Sequence, residues 1–212
     1  MSLLFLFDMD DVVYDYHWRE RMAGLTRLTG LDLHELRRRW WVSGGEERAE
    51  AGEPSDPDEY LAAATAAIGT SIPREEWVRI RAEATRPRPG VIAAVQRASE
   101  LGRAALLTNN GILIHHHLHE VAPELVPIMG REHMHASAFF GARKPEPLVY
   151  RRAMEHYGAK PSSTFFVDDR PENIDGAASC GITAHLYVDE AALIDAIESF
   201  AAQTRAAEQV LA

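Results

Sequence analysis

Five apolar residues in a row, Leu3-Leu4-Phe5-Leu6-Phe7, run straight into three carboxylates, Asp8, Asp10 and Asp11. The apolar run reads as a strand covered on both faces, as in parallel sheets packed between helices. Ligands of such open sheets sit just beyond the carboxyl ends of the strands. Asp8 and Asp10, two apart on a chain leaving a strand, reach one small volume there. Like charges so close are costly unless a cation, a proton or a phosphate-binding site compensates. An acidic turn after an edge strand is the plainer alternative, and this stretch alone leaves it open.

A chain of 212 residues that is 46% hydrophobic buries a full core and has room for one or two domains. Its net charge of -10 argues against a nucleic-acid or anionic-membrane binder, which needs a basic surface. A small anionic substrate remains open, because a bound divalent cation and a few basic residues dominate locally. Cys180 is the one cysteine, so no internal disulfide forms, which suits a reducing compartment. Met1 leads at once into the strand with no basic n-region or cleavage pattern. No apolar run approaches the roughly 18–20 residues of a spanning helix. The expectation is a soluble cytoplasmic protein, monomer or homodimer, with a small-molecule partner and neither nucleic acid nor membrane as partner.

From Tyr14 to about Arg86 the texture becomes helical, with patterns over Trp18–Leu28, Asp32–Val42, Asp58–Ile68 and Pro73–Ala84 and no convincing strand. Asp32 with Glu35 resembles a capping box, and Asp56-Pro57 sets an N-cap before a first-turn proline. Gly30, Gly44-Gly45 and Gly69 read as helix stops. Arg86-Pro87-Arg88-Pro89-Gly90 reads as a stiff return. A βα rhythm then resumes. Helices are expected over Val91–Leu101, Ile112–Val121, Pro147–Tyr157, Ile174–Ser179 and Glu190–Leu211. Strands are expected at Ala104–Leu107, Ser137–Phe140, Thr164–Val167 and Thr183–Val188. This alternation argues for an α/β fold with a doubly wound, mostly parallel, Rossmann-like sheet. The expected core is 1–13 and 87–212, with an all-helical domain inserted at 14–86.

The strand ends carry complementary chemistry: carboxylates at Asp8/Asp10, a hydroxyl and amide at Thr108/Asn109, and carboxylates again at Asp168/Asp169. Lys144 heads a further βα unit. On parallel neighbouring strands all of these face one crevice. Oxygen-only carboxylate ligands suit Mg²⁺, a carboxylate can form an aspartyl-phosphate, and a hydroxyl, a backbone N–H and an ammonium can hold charge on a transferring phosphoryl group.

The strings FDMDDVVYD, LLTNN, ARKPEP and FFVDDRPENIDGA, in that order, resemble the four motifs of the haloacid dehalogenase-like (HAD) hydrolase superfamily. The helical insert resembles its cap, and the nearest sub-group is the sugar-phosphate phosphatases of the α-D-glucose-1-phosphate phosphatase type. The resemblance implies a Mg²⁺-dependent phosphatase in which Asp8 attacks phosphorus. Asp10 protonates the leaving oxygen, then activates water, and lends its main-chain carbonyl to the metal. Thr108 and the Asn109 amide bind phosphate, and Lys144 neutralises both nucleophile and phosphoryl group. Asp169 is the leading fourth-motif metal ligand, with Asp168 a second one and Asn173 a brace behind them. On backbone that alternates, one of an adjacent pair points away, which favours Asp169 over Asp168. Asp11 departs from the glycine that most relatives carry. The same superfamily also leaves open a sugar-phosphate mutase, a metal-independent 2-haloacid dehalogenase (a class that lacks the acid at the Asp10 position) and an inactive binding module.

Other residues have plainer readings. His115, His116, His117 and His119, like His133 and His135, are expected on solvated faces rather than as a zinc site. Arg37-Arg38-Arg39 beside Trp40-Trp41 reads as a solvated face with one tryptophan inward, against a second reading as an anion gate. Tyr14, Tyr16 and His17 are either substrate contacts or hinge packing, and Cys180 packs.

Overall fold

The computed structural model describes residues 3–211, apart from the side chains at 208, 210 and 211. The chain begins with β1 (Leu4–Phe7) and β2 (Tyr14–Tyr16), then α1 (Trp18–Thr29), α2 (Leu33–Trp40), α3 (Gly45–Glu50), α4 (Pro57–Ile68), α5 (Arg74–Glu83) and β3 (Thr85–Pro87). There follow α6 (Pro89–Leu101), β4 (Arg103–Thr108), α7 (Ile112–His116), α8 (Leu118–Val121), α9 (Val126–Met129) and β5 (Met134–Ala136). The last elements are α10 (Pro147–Tyr157), β6 (Thr164–Asp168), α11 (Pro171–Ala178), β7 (Thr183–Leu186) and α12 (Glu190–Leu211).

Side-chain alternation along β1 sets the layers. Phe5 and Phe7 face α6 and α12, where Val91, Val95, Leu193 and Phe200 cover them. Leu4 and Leu6 face the other way, onto Val149, Tyr150 and Met154 of α10 and Ala177 of α11. β1 is therefore buried on both faces and lies at the centre of an all-parallel sheet of order β5-β4-β1-β6-β7. This is the expected doubly wound α/β arrangement.

The helices between β2 and β3 surround a ladder of edge-to-face rings, Trp40 on Tyr60 and Tyr60 on Trp77, each pair 5.6 Å apart. Asp56 caps α4 through the amides of Asp58 and Glu59. Asp32 caps α2 through the Glu35 amide at 2.8 Å, but the Glu35 carboxylate turns to Arg38 and Arg39, so only half of the capping box forms. The insert shares its apolar packing with the sheet layer, because Tyr60 and Trp77 belong to the same buried cluster as Ile112 and Leu113.

Several elements depart from the sequence reading. β2 and β3, three residues each, pair antiparallel (Tyr14 with Pro87, Tyr16 with Thr85) and tie the two ends of the insert together. Strands this short show no readable period. Gly44-Gly45 starts α3 instead of ending a helix: Gly44 sits at φ 79, and a Cβ on Gly45 would come within 2.5 Å of the Trp40 ring. The expected strand Ser137–Phe140 is a 3₁₀ turn, and the strand is Met134–Ala136, whose register against β4 places His135 beside Leu107. A histidine inside the strand hid its pattern.

His135 is not on a solvated face. It is 5% exposed among His115, His156, Phe139 and Phe140, and neither ring nitrogen has a hydrogen-bond partner among the described residues. Burial, reinforced by His115 and His156, pushes its pKa down to about 3. Between that value and the unfolded value near 6.5, the unfolded chain holds a proton that the folded chain lacks, so stability falls as pH drops below about 6.5. At pH 5 this costs about 2 kcal/mol. His135→Phe should flatten the loss of melting temperature between pH 7 and pH 5; a variant that loses as much as the parent would clear His135 of this role.

Candidate active site

Sheet register builds the site. Phe7 is level with Leu106 of β4 and Val167 of β6, so Asp8 and Asp168 leave their strands at the same height, with Thr108 two residues past Leu106. The Asp8 amide donates to the Val167 carbonyl at 3.0 Å, locking the two exits together. Lys144, 1% exposed, reaches between them: its Nζ lies 2.8 Å from Asp8 Oδ1 and 2.6 Å from Asp168 Oδ2. Asn109, the residue after β4, holds Lys144 in place. Its side-chain amide donates to the Lys144 carbonyl and its side-chain oxygen accepts from the Lys144 amide, both at 2.9 Å. Asp168 accepts further bonds from the Arg170 amide and the Asn173 side chain, each 2.9 Å. Asp8 Oδ1 accepts from the Met9 amide at 2.7 Å.

Asp8, Asp168 and Asp169 each bring a carboxylate oxygen to one place, all within 4.8 Å of one another. Both members of the 168/169 pair therefore converge. The alternation that would turn one away holds only inside a strand, and β6 ends at Asp168. Burial pushes the Asp8 carboxyl well above the ordinary carboxylate range; Lys144 pulls it down, and Asp168 and Asp10 push it up again. Asp169 is likewise raised by burial, with Asp168 and Asp11 adding to it. Burial works against a charge on Lys144, but Asp8 and Asp168 hold its pKa above the usual lysine value. One ammonium among three carboxylates leaves negative charge in a confined space. That donor set, all oxygen and partly exposed through Asp169, fits a hard divalent cation.

Asp10 stands apart from this cluster. Its carboxylate is held by Arg81 of α5, whose Nη2 lies 2.6 and 2.7 Å from the two oxygens. The Asp10 carboxylate is thus turned to Arg81 rather than to the Asp8, Asp168 and Asp169 cluster. Thr108 is buried, and its Oγ1 accepts from the Asn110 side chain at 3.0 Å, which leaves the hydroxyl proton free to donate. The Asn109 side chain is committed to Lys144 at both ends, so a phosphate contact from Asn109 falls to its backbone N–H.

Asp11 holds a φ of 58, in the left-handed region, and its Oδ1 accepts from the Tyr16 amide at 3.3 Å. Aspartate tolerates this backbone better than most side chains, which lets it occupy the turn. Its carboxylate is exposed at the rim of the site. Asp11→Ala should cost about 1 kcal/mol in urea denaturation, whereas Asp11→Gly should be nearly neutral. Equal costs for both would show that the left-handed backbone imposes no penalty.

A cleft of about 350 Å³ adjoins the carboxylate site and shares Asp10, Glu50, Asn109 and Arg143 with it. Tyr16 lines this cleft, as do Arg37 and Trp41. Tyr14 instead points away and donates to Glu124 at 2.9 Å, and His17 serves at the start of α1. His115 and His119 lie on separate helices, since the chain breaks at His117. No three histidine nitrogens among the described residues gather as a metal site.

The sequence reading missed Arg81, Glu50, Arg143 and Arg21. Arg81 was detectable: it lies four residues after Trp77 on the apolar face of α5 and is fully buried, where a charge needs a partner. Arg143 and Glu50 pair at 2.7 Å across 93 positions, and burial and Glu46 push Glu50 up to about 7. No local pattern announces such a pair.

The family model described as a haloacid dehalogenase-like hydrolase matches residues 3–181. A phosphatase of Mycobacterium tuberculosis, MT3486, is 28% identical over 193 residues, covering 85% of each chain. Among solved structures, the HAD family enzyme bt-2542 of Bacteroides thetaiotaomicron superposes with a TM-score of 0.72 at 18% identity, over 88% of this chain and 94% of that one. It has also been solved with magnesium and inorganic phosphate, at 16% identity, 89% and 95% coverage and TM-score 0.67. A 2-haloacid dehalogenase from Pseudomonas syringae superposes with a TM-score of 0.61 at 18% identity, over 88% and 86% of the two chains.

Proposed function

Because the chain belongs to the haloacid dehalogenase-like hydrolase family, we propose that it is a Mg²⁺-dependent phosphomonoesterase acting on a small phosphorylated metabolite, of the sugar-phosphate kind. In this reading residues 1–13 and 87–212 form the catalytic core and 14–86 the cap. Its strongest support is the Asp8–Lys144–Asp168 arrangement, in which one buried ammonium touches a carboxylate at the end of each of two strands. The phosphatase from M. tuberculosis and the magnesium- and phosphate-bound relative point the same way.

Asp8 attacks phosphorus, the bond from phosphorus to the leaving oxygen breaks, and an aspartyl-phosphate forms. The Asp10 carboxyl gives its proton to the leaving oxygen, then takes one from the water that attacks the phosphoryl group and releases Asp8. Lys144, the Thr108 hydroxyl and the Asn109 backbone N–H hold the phosphoryl oxygens as charge spreads over them. Asp8, Asp168, Asp169 and the Asp10 carbonyl would hold Mg²⁺. When bound, the ion offsets negative charge on the carboxylates and the phosphoryl group. Asn173 keeps Asp168 facing the site, as an outer partner does for a ligand.

The presence of Asp10 favours this chemistry over carbon–halogen cleavage, which needs no acid for a leaving halide. Phosphorus NMR of a panel of metabolite phosphates, with Mg²⁺ and with EDTA, tests the reading. Free inorganic phosphate should accumulate only with Mg²⁺. Transfer of phosphate to a second position on the sugar would instead mean a mutase, and chloride release from a 2-haloacid without metal would mean a dehalogenase.

A further inference from the structure

The cleft beside the phosphate site has two unequal ends. Asp10, Glu50, Asn109 and Arg143 bound the opening it shares with the carboxylate cluster, while Arg21, Arg37, Trp41, Glu46 and Glu47 line only the cleft. Its acidic groups are already matched. Asp10 pairs with Arg81. Glu47 and Glu50 face Arg143 at 3.6 and 2.7 Å. Glu46 accepts from Trp40 Nε1 at 2.6 Å and from the Tyr60 hydroxyl at 2.9 Å.

The basic groups at the far end are matched only in part: Arg21 forms an ion pair with Glu46 that leaves one N–H without an acceptor. Arg21 is 4% exposed and donates to the Tyr16 hydroxyl at 3.1 Å. Its Nη2 is buried without a hydrogen-bond partner among the described residues, 3.7 Å from Glu46, too far for a hydrogen bond. Its guanidinium lies 5.7 Å from the Trp41 ring centre. Arg38 and Arg39 share Glu35 as their carboxylate partner. Arg37 packs over Trp18 at 5.5 Å and has no carboxylate partner among the described residues. A buried guanidinium with an unused N–H and an unpaired arginine on one cleft wall call for an anionic acceptor, and the planar fork of arginine matches a carboxylate. A neutral polyol supplies acceptors but no charge.

Resting on the phosphomonoesterase reading, we propose that the leaving group of the preferred substrate carries a carboxylate, held by Arg37 and Arg21 at the end of the cleft away from Asp8. The substrates are then phosphate esters of hydroxy acids or sugar acids.

The test uses pairs that differ only in this group, a carboxylate against a CH2OH: 6-phosphogluconate against sorbitol 6-phosphate, and 3-phosphoglycerate against glycerol 3-phosphate. In the Mg²⁺-loaded protein the acid of at least one pair should have a kcat/KM higher by on the order of ten-fold, the scale of a charge-assisted hydrogen bond. Arg37→Gln, an exposed substitution, should bring that ratio close to one. Calorimetric binding of the same pairs to Asp8→Asn should show the same preference without turnover. Turnover without preference for either acid, an unchanged ratio in Arg37→Gln, or a stronger preference for fructose 1,6-bisphosphate over fructose 6-phosphate would overturn the assignment. Catalytic silence with the binding preference intact would support the carboxylate subsite and overturn the hydrolytic reading alone.

Discussion

Asp8→Asn should lower turnover of any phosphate ester by on the order of 10⁴ to 10⁶-fold, the range seen when a nucleophile is removed from a catalytic unit. The amide has nearly the shape of the carboxylate, and its oxygen still accepts from the Met9 amide. Folding should not suffer. Burial raises the Asp8 pKa in the native protein, so its ionised form is a cost to the fold that grows as pH rises. The sign follows from linkage: a carboxyl whose native pKa lies above its unfolded value stabilises at low pH and loses that stability as pH rises through the native value. At neutral pH the neutral amide escapes this cost. The variant should therefore be inert yet melt no lower than the parent in metal-free buffer. Loss of activity together with a large fall in melting temperature would mean that Asp8 mainly supports the structure.

Lys144→Met should be the most destabilising change in the site. It leaves Asp8 and Asp168, 6% and 0% exposed, as neighbouring buried carboxylates with no cation between them. Removing one partner from a buried ion pair costs about 3–5 kcal/mol, and in a chain of this size that lowers the melting temperature by roughly 10 °C. The loss should shrink as pH falls, because protonation relieves carboxylates stripped of their cation. Millimolar Mg²⁺ should restore part of it, since an ion that binds only the native state stabilises by mass action. Thermal melts at pH 5 and pH 8, with Mg²⁺ and with EDTA, give all three readings. A Lys144→Met protein as stable as the parent at pH 8 would mean that the ammonium contributes nothing to holding these carboxylates.

The strand ends that carry the site were legible because each pairs an apolar run with a polar exit: Phe7-Asp8, Leu107-Thr108 and Val167-Asp168 all lie in one parallel sheet. A buried parallel strand is mostly a local statement, readable from a few consecutive residues. Strand alternation favours Asp169 over Asp168 only if it continues past the end of β6; the chain turns there, and both carboxylates converge. Elements whose reasons are non-local escaped. β2 and β3 exist because each pairs with the other across the whole insert, and α3 is anchored on the core by Arg143 with Glu50 and by the Ser137 hydroxyl on the Glu50 carbonyl at 2.7 Å. Arg37 is an intermediate case. Its run read as a solvated face, which fits Arg38 and Arg39 bound to Glu35, whereas Arg37 itself lines the cleft.

The most direct measurement is to mix the Mg²⁺-loaded protein with a rapidly hydrolysed phosphate ester, quench in acid within the first turnover, and locate any added mass by peptide mapping. One phosphoryl group should appear on the peptide that begins at the amino-terminal strand, at Asp8, and should be absent in Asp8→Asn and in EDTA. Rapid release of phosphate with no phosphoryl group on Asp8 at any time in the turnover, or with one on a different residue, would contradict the assignment of Asp8 as the nucleophile.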